Sequence, residues 1–315
     1  MTATTMRDAF VDEVRSLLAA TDELAVVLAD ISADRFADAG PRVVNVGIRE
    51  QAMIGVAGGL ALAGVHPVVH TYAPFLVERA WEQVKLDLSH QGVGATLVSI
   101  GASYDASNAG RTHQSPGDVA LLDTLRDLRI EVPSHPDDIA PLLRRAVASR
   151  GRTYLRLADD VAARPGPVDG ALHILRRGRR GLVLAVGPLV DRVLEAVAGL
   201  DVTVAHAVTV RPLDLIGLRR EVNLLDAADV VLVEPYLSGT STAVVNDALS
   251  DRPHRVFGHG VTRPDLHRFG TRADHDRAQR LDVTSLRADI GAELGLAGFA
   301  PEPWAGSPAN LVEVG

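Results

Sequence analysis

The chain has 315 residues, of which 47% are hydrophobic and 23% are charged, a composition typical of a globular protein with room for two α/β domains. Its net charge of −8 disfavours general nucleic-acid binding, which needs clustered lysine and arginine. The absence of cysteine excludes a disulfide framework and a thiolate metal site or nucleophile. No apolar run approaches the ~18 residues of a membrane span, so we expect a cytoplasmic protein without membrane contact.

The first half alternates helical and strand patterns. Apolar residues at helical spacing predict a helix from Met6 to Ala20, and a buried strand follows at residues 24–29. Further predicted strands lie at residues 43–46, 68–69, 96–100 and 154–157. This alternation predicts a mostly parallel sheet covered on both faces, with ligands beyond the carboxyl ends of its strands. Glu50 and the loop after Ile100 fall at those ends.

The second half repeats the alternation after a polar stretch rich in proline and glycine, residues 158–170, which we interpret as a linker. Its predicted strands are residues 181–186, 202–205, 230–234 and 255–257, and its predicted helices include 189–200 and 241–249. We therefore expect two consecutive three-layer α/β domains with mostly parallel sheets, residues 1–165 and 171–315. Trp304 is expected to dock in the tail.

Glu50 stands between a β-branched run that ends in glycine and a helix rich in glycine and alanine. A side chain at such a strand-to-helix turn can be aimed at a ligand. The same position also suits a purely structural role, because an anion in the first helical turn interacts favourably with the helix dipole. The pattern around Glu50 alone leaves both interpretations open.

Four motifs follow one another along the first half: residues 47–53 with 59–64, Phe75 with residues 79–83, residues 110–114, and residues 154–157. In this order they resemble the pyrimidine-binding domain of the transketolase and deoxyxylulose-phosphate synthase family of thiamine diphosphate enzymes. The second half resembles the C-terminal domain of the same family, which mainly supports dimerisation.

The resemblance implies a cofactor site. Glu50 matches the family position that hydrogen-bonds N1′ of the thiamine pyrimidine and drives formation of the imino tautomer, which takes the proton from C2 of the thiazolium. The slot for the pyrimidine ring is implied to involve Phe75, Trp81, Tyr72 and Ile48. Plain core packing is the alternative interpretation of the aromatic residues.

The resemblance also implies a substrate site. His113 is expected to contact the hydroxyl or carbonyl region of the donor, although a histidine in a surface loop is the structural alternative. Arg156 could clamp a sugar phosphate, or it could form a salt bridge with a neighbour such as Asp159. The remaining candidates for an acceptor site are Asp105, Ser107, Asn108 and Arg111.

The family's Gly-Asp-Gly motif for the diphosphate and Mg²⁺ is missing from this chain. The resemblance therefore implies that the Mg²⁺ ligands lie on a partner, an N-terminal diphosphate-binding transketolase subunit, in an α2β2 assembly. No metal-ligand set is expected in this chain itself.

Two departures from the family pattern leave the substrate open. Gly101 stands where the family usually has a histidine, and Asn108 and Ala109 stand where it has an acidic pair. The leading hypothesis is transfer of a two-carbon ketol unit from a ketose or ketose phosphate to an aldehyde. One alternative is a decarboxylating carboligase of the deoxyxylulose-phosphate synthase type, and another is a non-catalytic regulatory subunit.

Overall fold

A computed structural model of the chain describes residues 4–262, 268–296 and 312–313. Trp304 lies outside the described residues. Among the helices within these ranges, none has both the length and the apolar character needed to cross a bilayer.

The strands of the first half are β1 (Leu24–Leu28), β2 (Val43–Asn45), β3 (His66–Tyr72), β4 (Ala95–Ile100), β5 (Leu128–Glu131) and β6 (Arg152–Arg156). The strands that follow are β7 (His173–Arg176), β8 (Leu182–Val186), β9 (Thr203–Ala207), β10 (Thr209–Arg211), β11 (Asp229–Leu237), β12 (Arg255–Val261), β13 (Arg268–Phe269) and β14 (Val312–Glu313).

The α-helices are α1 (Met6–Ala20), α2 (Glu50–Leu62), α3 (Trp81–Gln83), α4 (Asp118–Leu122), α5 (Ile139–Ser149), α6 (Val190–Ala196), α7 (Leu215–Val222), α8 (Thr242–Ala248), α9 (Arg272–Ala278) and α10 (Val283–Glu293). Two segments flanking α3, Pro74–Arg79 and Val84–His90, are wound more widely as π-helices.

The strands form two large sheets. The first has the order β10-β5-β6-β4-β3-β1-β2 and is parallel except for β10, which pairs antiparallel with β5. The second has the order β12-β11-β8-β9-β7 and is parallel except for its edge strand β7. Strands β1, β4 and β8 are buried along their whole length, as expected for parallel strands covered on both faces. The predicted fold class, α/β with mostly parallel sheets, is confirmed.

The two halves are packed together. Strand β10 follows the linker in sequence yet completes the first sheet. One hydrophobic cluster contains Leu97 and Ile130 from the first sheet together with Leu184 and Leu232 from the second. The domain boundaries at residues 165 and 171 stay a prediction.

Candidate active site

The turn before α2 buries the Glu50 side chain. Asn45 at the end of β2 accepts hydrogen bonds through Oδ1 from the amides of Asp30, at 2.9 Å, and of Gly47, at 3.0 Å. Gly47 has a φ of +71°, a conformation that favours glycine. The chain therefore reverses within a few residues, and Glu50 begins α2 with its side chain 1% exposed.

Arg79 is the described ion-pair partner of Glu50. Its Nη1 donates to Oε2 of Glu50 at 2.7 Å, and its guanidinium carbon lies 4.1 Å from the centre of the Phe75 ring. Both Phe75 and Arg79 belong to the π-helix at Pro74–Arg79. Oε1 of Glu50 accepts no hydrogen bond from any residue within the described part of the chain.

His113 stands against two aromatic rings from the preceding segment. Its ring centre lies 5.2 Å from that of Phe75 and 6.0 Å from that of Tyr72, in edge-to-face arrangements. Its Nδ1 lies 2.9 Å from the hydroxyl of Thr112. Contacts therefore run from Glu50 through Arg79 to Phe75, and from Phe75 to His113, which also contacts Tyr72.

A recess of about 360 Å³ opens beside His113 and Tyr72, a size that suits a small ligand. Its lining includes charged and polar side chains from three separate parts of the chain: Arg7, Asp105, Asn108 and Asp159.

Gly101 makes room for Tyr72 at this recess. A Cβ atom at position 101 would overlap Cδ1 of the Tyr72 ring, and Gly101 also has a φ of +75°. The ring of Tyr72 therefore packs directly against the main chain at the position where the family usually has a histidine. Sequence analysis noted the glycine but could not connect it with Tyr72, which lies on another strand.

Burial shifts the titration of one carboxyl at the recess. The side chain of Asp105 is 2% exposed, and desolvation raises its pKa to about 6, against the opposing effect of Arg272. Its Oδ2 accepts hydrogen bonds from the amides of Ala102 and Asp159, both at 3.0 Å.

Arg156 has its described ion-pair partner inside the protein. Its side chain is 1% exposed, and its Nε donates to Oδ2 of the equally buried Asp118 at 2.7 Å. Its Nη2 donates to the hydroxyl of Ser103, also at 2.7 Å. The guanidinium is thus held within the protein, in a salt bridge with Asp118 and not with Asp159. The phosphate-binding role predicted for Arg156 stays a prediction.

Three other predicted residues lie apart from the His113 contacts. Trp81 packs against the hydrophobic cluster of the first sheet. Ile48 is 70% exposed in the loop before α2, and Arg111 is 41% exposed, with its Nη1 donating to the carbonyl of Gln114 at 2.8 Å. The roles predicted for these residues stay predictions.

Sequence analysis missed Arg79 as the partner of Glu50 and Asp118 as the partner of Arg156. Residues 79–83 were noted only as part of an aromatic motif. Within the described ranges, no cluster of three or more histidine, aspartate or glutamate side chains is arranged to hold a metal ion.

Comparison with known proteins identifies the family. A model of the transketolase pyrimidine-binding domain matches residues 2–160. An uncharacterised 33.6 kDa protein in the fasciation locus of Rhodococcoides fascians is 48% identical over 299 residues, covering 93% of this chain and 96% of that protein. One subunit of an apulose-4-phosphate transketolase from Actinobacillus succinogenes is 28% identical over 262 residues, covering 78% of this chain and 82% of that subunit.

A solved structure described as a split-gene transketolase, an inactive β4 tetramer, superimposes with a TM-score of 0.80. The two share 24% identity over 93% of this chain and 99% of that one. The fold is thus the α/β fold of that split-gene transketolase. The chain belongs to the transketolase family, as the motifs in its sequence predicted.

Proposed function

We propose that this chain is the pyrimidine-binding subunit of a two-subunit, thiamine diphosphate-dependent transketolase that transfers a two-carbon ketol unit to an aldehyde. The observation that carries this proposal is the buried carboxylate of Glu50 at the first turn of α2, with Phe75 and His113 in the same series of contacts. When bound, thiamine diphosphate supplies a stabilised carbanion.

The residues present fit the pyrimidine half of this cofactor. Oε1 of Glu50 remains available to hydrogen-bond a ring nitrogen, while Arg79 holds the other carboxylate oxygen. Phe75 is partly buried and offers an apolar ring surface nearby. His113 is also partly buried and borders the recess, where it could donate to a hydroxyl or carbonyl of the donor.

The diphosphate half and Mg²⁺ are proposed to lie on a partner subunit. The exposed side of α2 supports a partner, because it is formed by small or apolar residues such as Ala52, Val56 and Leu62. A helix that is apolar around its whole circumference is normally covered by protein on every side. An α2β2 assembly would be one arrangement that provides this cover.

The experiment pairs this chain with a purified subunit that carries Gly-Asp-Gly, and measures ketol transfer across a panel of ketoses, ketose phosphates and aldehydes. E50Q should reduce turnover by at least about 10²-fold, because an amide keeps the shape of the side chain but cannot exchange the proton. E195Q, which changes an exposed glutamate on α6, is the matched control and should match the unmodified chain.

The outcomes separate the candidate functions. Robust turnover by this chain alone would contradict the need for a partner, and full activity of E50Q would contradict the role of Glu50. Release of CO₂ from a 2-oxo acid would favour the carboligase, whereas activity of the partner without this chain would favour a regulatory role.

A further inference from the structure

The loop that carries His113, here residues 102–115, is built from short turns, which are closed by amide hydrogen bonds such as those from Asp105 to Ala102, from Ala109 to Ala106 and from His113 to Gly110. Its ends meet where the amide of Ser115 donates to the carbonyl of Ser103 at 3.0 Å. Between them the regular structure is one short 3₁₀ turn, Gly110–Thr112. Ordering a backbone costs about 1–2 kcal/mol per residue, so contacts from elsewhere must hold this loop in one conformation.

Helix α9, from the second half of the chain, supplies one group of such contacts. The ring of His275 is stacked on the ring of Tyr104, with a centre-to-centre distance of 5.2 Å and an angle of 19° between the ring planes. His275 is fully buried, and its Nε2 donates to the carbonyl of Ser107 at 3.1 Å. The Tyr104 hydroxyl donates to Oδ1 of Asp276, also on α9, at 2.6 Å.

A chain of charges extends these contacts. Arg272 of α9 pairs through Nη1 with Asp105, and its Nη2 lies 3.2 Å from Oδ2 of Asp160. Arg192 joins the same Asp160 at 2.7 Å and Asp276 at 3.0 Å. Asp105 also accepts hydrogen bonds from the amide of Ala102, at the start of the loop, and from the amide of Asp159, in the linker. The ion pair with Arg272 therefore connects the start of the loop and the linker to α9.

Phe269 of β13 covers the turn immediately before His113. A Cβ atom at Gly110, which has a φ of +65°, would lie 2.7 Å from Cε1 of Phe269. The ring therefore packs directly on the backbone three residues from His113. The second half of the chain contacts this loop near its start, near its middle and at its turn.

We propose that the second half of the chain positions His113, with Arg272 and His275 of α9 as positioning residues that act through the loop. The role of His113 in this inference rests on the proposed function. Sequence analysis expected the second half mainly to support dimerisation, and the contacts add a second role. A side chain that meets substrate must be held close to its productive geometry, and the short turns within this loop depend on contacts with other elements for their position.

The test uses the full-length chain with three substitutions at two positions of α9. R272Q removes the charge that pairs with Asp105, and R272K restores it. H275F keeps the stacked ring and loses the hydrogen bond to the carbonyl of Ser107. No second hydrogen bond is lost, because Nδ1 of His275 has no partner among the described residues. R277Q is the matched control, because Arg277 is 48% exposed and pairs with Asp274 on its own helix.

Two measurements are made on each variant. Hydrogen–deuterium exchange of the chain alone should become about tenfold faster in residues 102–115 for R272Q and H275F, with the core strands still protected. In the assembled enzyme, kcat/KM should fall at least about tenfold, while the Kd for thiamine diphosphate stays within about twofold. R272K should recover much of the loss, and R277Q should match the unmodified protein.

Unchanged exchange in folded R272Q and H275F would overturn the inference, as would faster exchange with unchanged kcat/KM. A loss of cofactor affinity equal to the loss of kcat/KM would also overturn it, because that result indicates general damage to the fold. If the unmodified assembly shows no ketol transfer, the proposed function fails. The exchange measurement then still decides whether α9 orders the loop.

Discussion

Glu50 and Arg79 form a pair of unequal burial. The glutamate side chain is 1% exposed, whereas that of Arg79 is 37% exposed and also covers the face of Phe75. A buried carboxyl without a partner is costly, so the hydrogen bond from Arg79 offsets part of the cost of burying Glu50. The same pairing leaves one carboxylate oxygen for a ligand.

The first prediction concerns this coupling. R79Q should lower the free energy of unfolding by about 1–3 kcal/mol, because the carboxyl of Glu50 stays buried and loses the guanidinium that donates to it. The double variant E50Q/R79Q should recover much of that loss, because it replaces both the buried carboxyl and the guanidinium by neutral amides. Urea denaturation of both single variants and the double variant measures the coupling energy. Strictly additive losses would contradict the pairing.

The second prediction distinguishes the two roles considered for Arg156. R156M should cost about 3–5 kcal/mol of unfolding free energy, because it leaves the buried carboxylate of Asp118 unpaired. R164M, at an exposed linker position, is the control and should stay within about 0.5 kcal/mol. A variant R156M with unchanged stability and a raised KM for phosphorylated substrates would restore the phosphate-clamp interpretation.

The position of Glu50 could be predicted because its signals are local: a β-branched run, a glycine and a helix start within ten residues. Its ion-pair partner could not be predicted, because Arg79 is 29 residues away and contacts Glu50 from a π-helix, which has no simple sequence pattern. The same limit applied to Arg156, because Asp118 comes from a separate helix, 38 residues distant. Tertiary contacts of this kind decide whether a charged residue faces a ligand or the core.

At the scale of elements, strand β3 carries two histidines into the interior. His70 is fully buried, with Nδ1 donating to the carbonyl of Val98 and Nε2 3.0 Å from the Ser32 hydroxyl. His66 lies 2.9 Å from the hydroxyl of Thr96. Burial lowers the pKa of His70 to about 3 and that of His66 to about 4. Strand β9 adds His206, whose pKa burial lowers to about 4.

The third prediction follows from these histidines. Their folded-state pKa values lie below the unfolded value of 6.5, so the unfolded chain binds more protons as the pH falls. The stabilisation is fully present above pH 6.5 and is lost progressively toward pH 4. Each histidine should cost about 2 kcal/mol of unfolding free energy between pH 7 and pH 5.

Thermal unfolding across pH 4.5–8 measures this loss. H70N keeps a donor near the Val98 carbonyl and cannot titrate, so it should be less stable at pH 8 but show a flatter pH dependence than the unmodified chain. The exposed His90, at the end of the π-helix Val84–His90, offers the control, because H90N should leave the slope nearly unchanged. An identical slope in H70N would contradict the assignment of His70 as a neutral buried group.

Burial alone does not separate the elements that sequence analysis found from those it missed, since the mostly buried strand β5 was also missed. The fully buried strands β1 and β8 were predicted because each is a continuous apolar run, and β4 was predicted although Thr96 and Ser99 interrupt its apolar residues. Strand β7 was missed because it is a partly exposed edge strand with only two apolar residues, which lie between a histidine and an arginine. Strand β10 was missed because three residues carry too little pattern, and its pairing with β5 depends on how the two halves pack.

At the scale of the whole molecule, the contacts between the halves serve both the fold and the site. The hydrophobic cluster that joins the two sheets makes the relative position of the halves part of the core. Because the halves have a fixed relative position, helix α9 contacts the loop that carries His113. Sequence patterns predicted two α/β units but not this dependence, because each unit's pattern is complete by itself.

The last prediction concerns the exposed side of α2. Val56 is 37% exposed and Leu62 is 63% exposed on this helix, whose other side is buried in the core. If another polypeptide covers this side in the assembled enzyme, V56E should weaken assembly by at least about tenfold, because a buried unpaired charge opposes association. The free chain should keep its stability within about 0.5 kcal/mol, since the substitution lies at the surface.

Sedimentation velocity of the chain, alone and mixed with the Gly-Asp-Gly subunit, measures the assembly. I216E is the matched control: Ile216 is 85% exposed on α7, so a charge there should leave every species unchanged if its surroundings stay solvent-exposed in the assembly. Activity should fall in parallel with assembly for V56E, because Glu50 stands at the start of the same helix and, in the proposed function, acts on a cofactor that another subunit helps to hold. Unchanged assembly of V56E would show that α2 faces solvent in the enzyme, and the partner would then have to dock elsewhere.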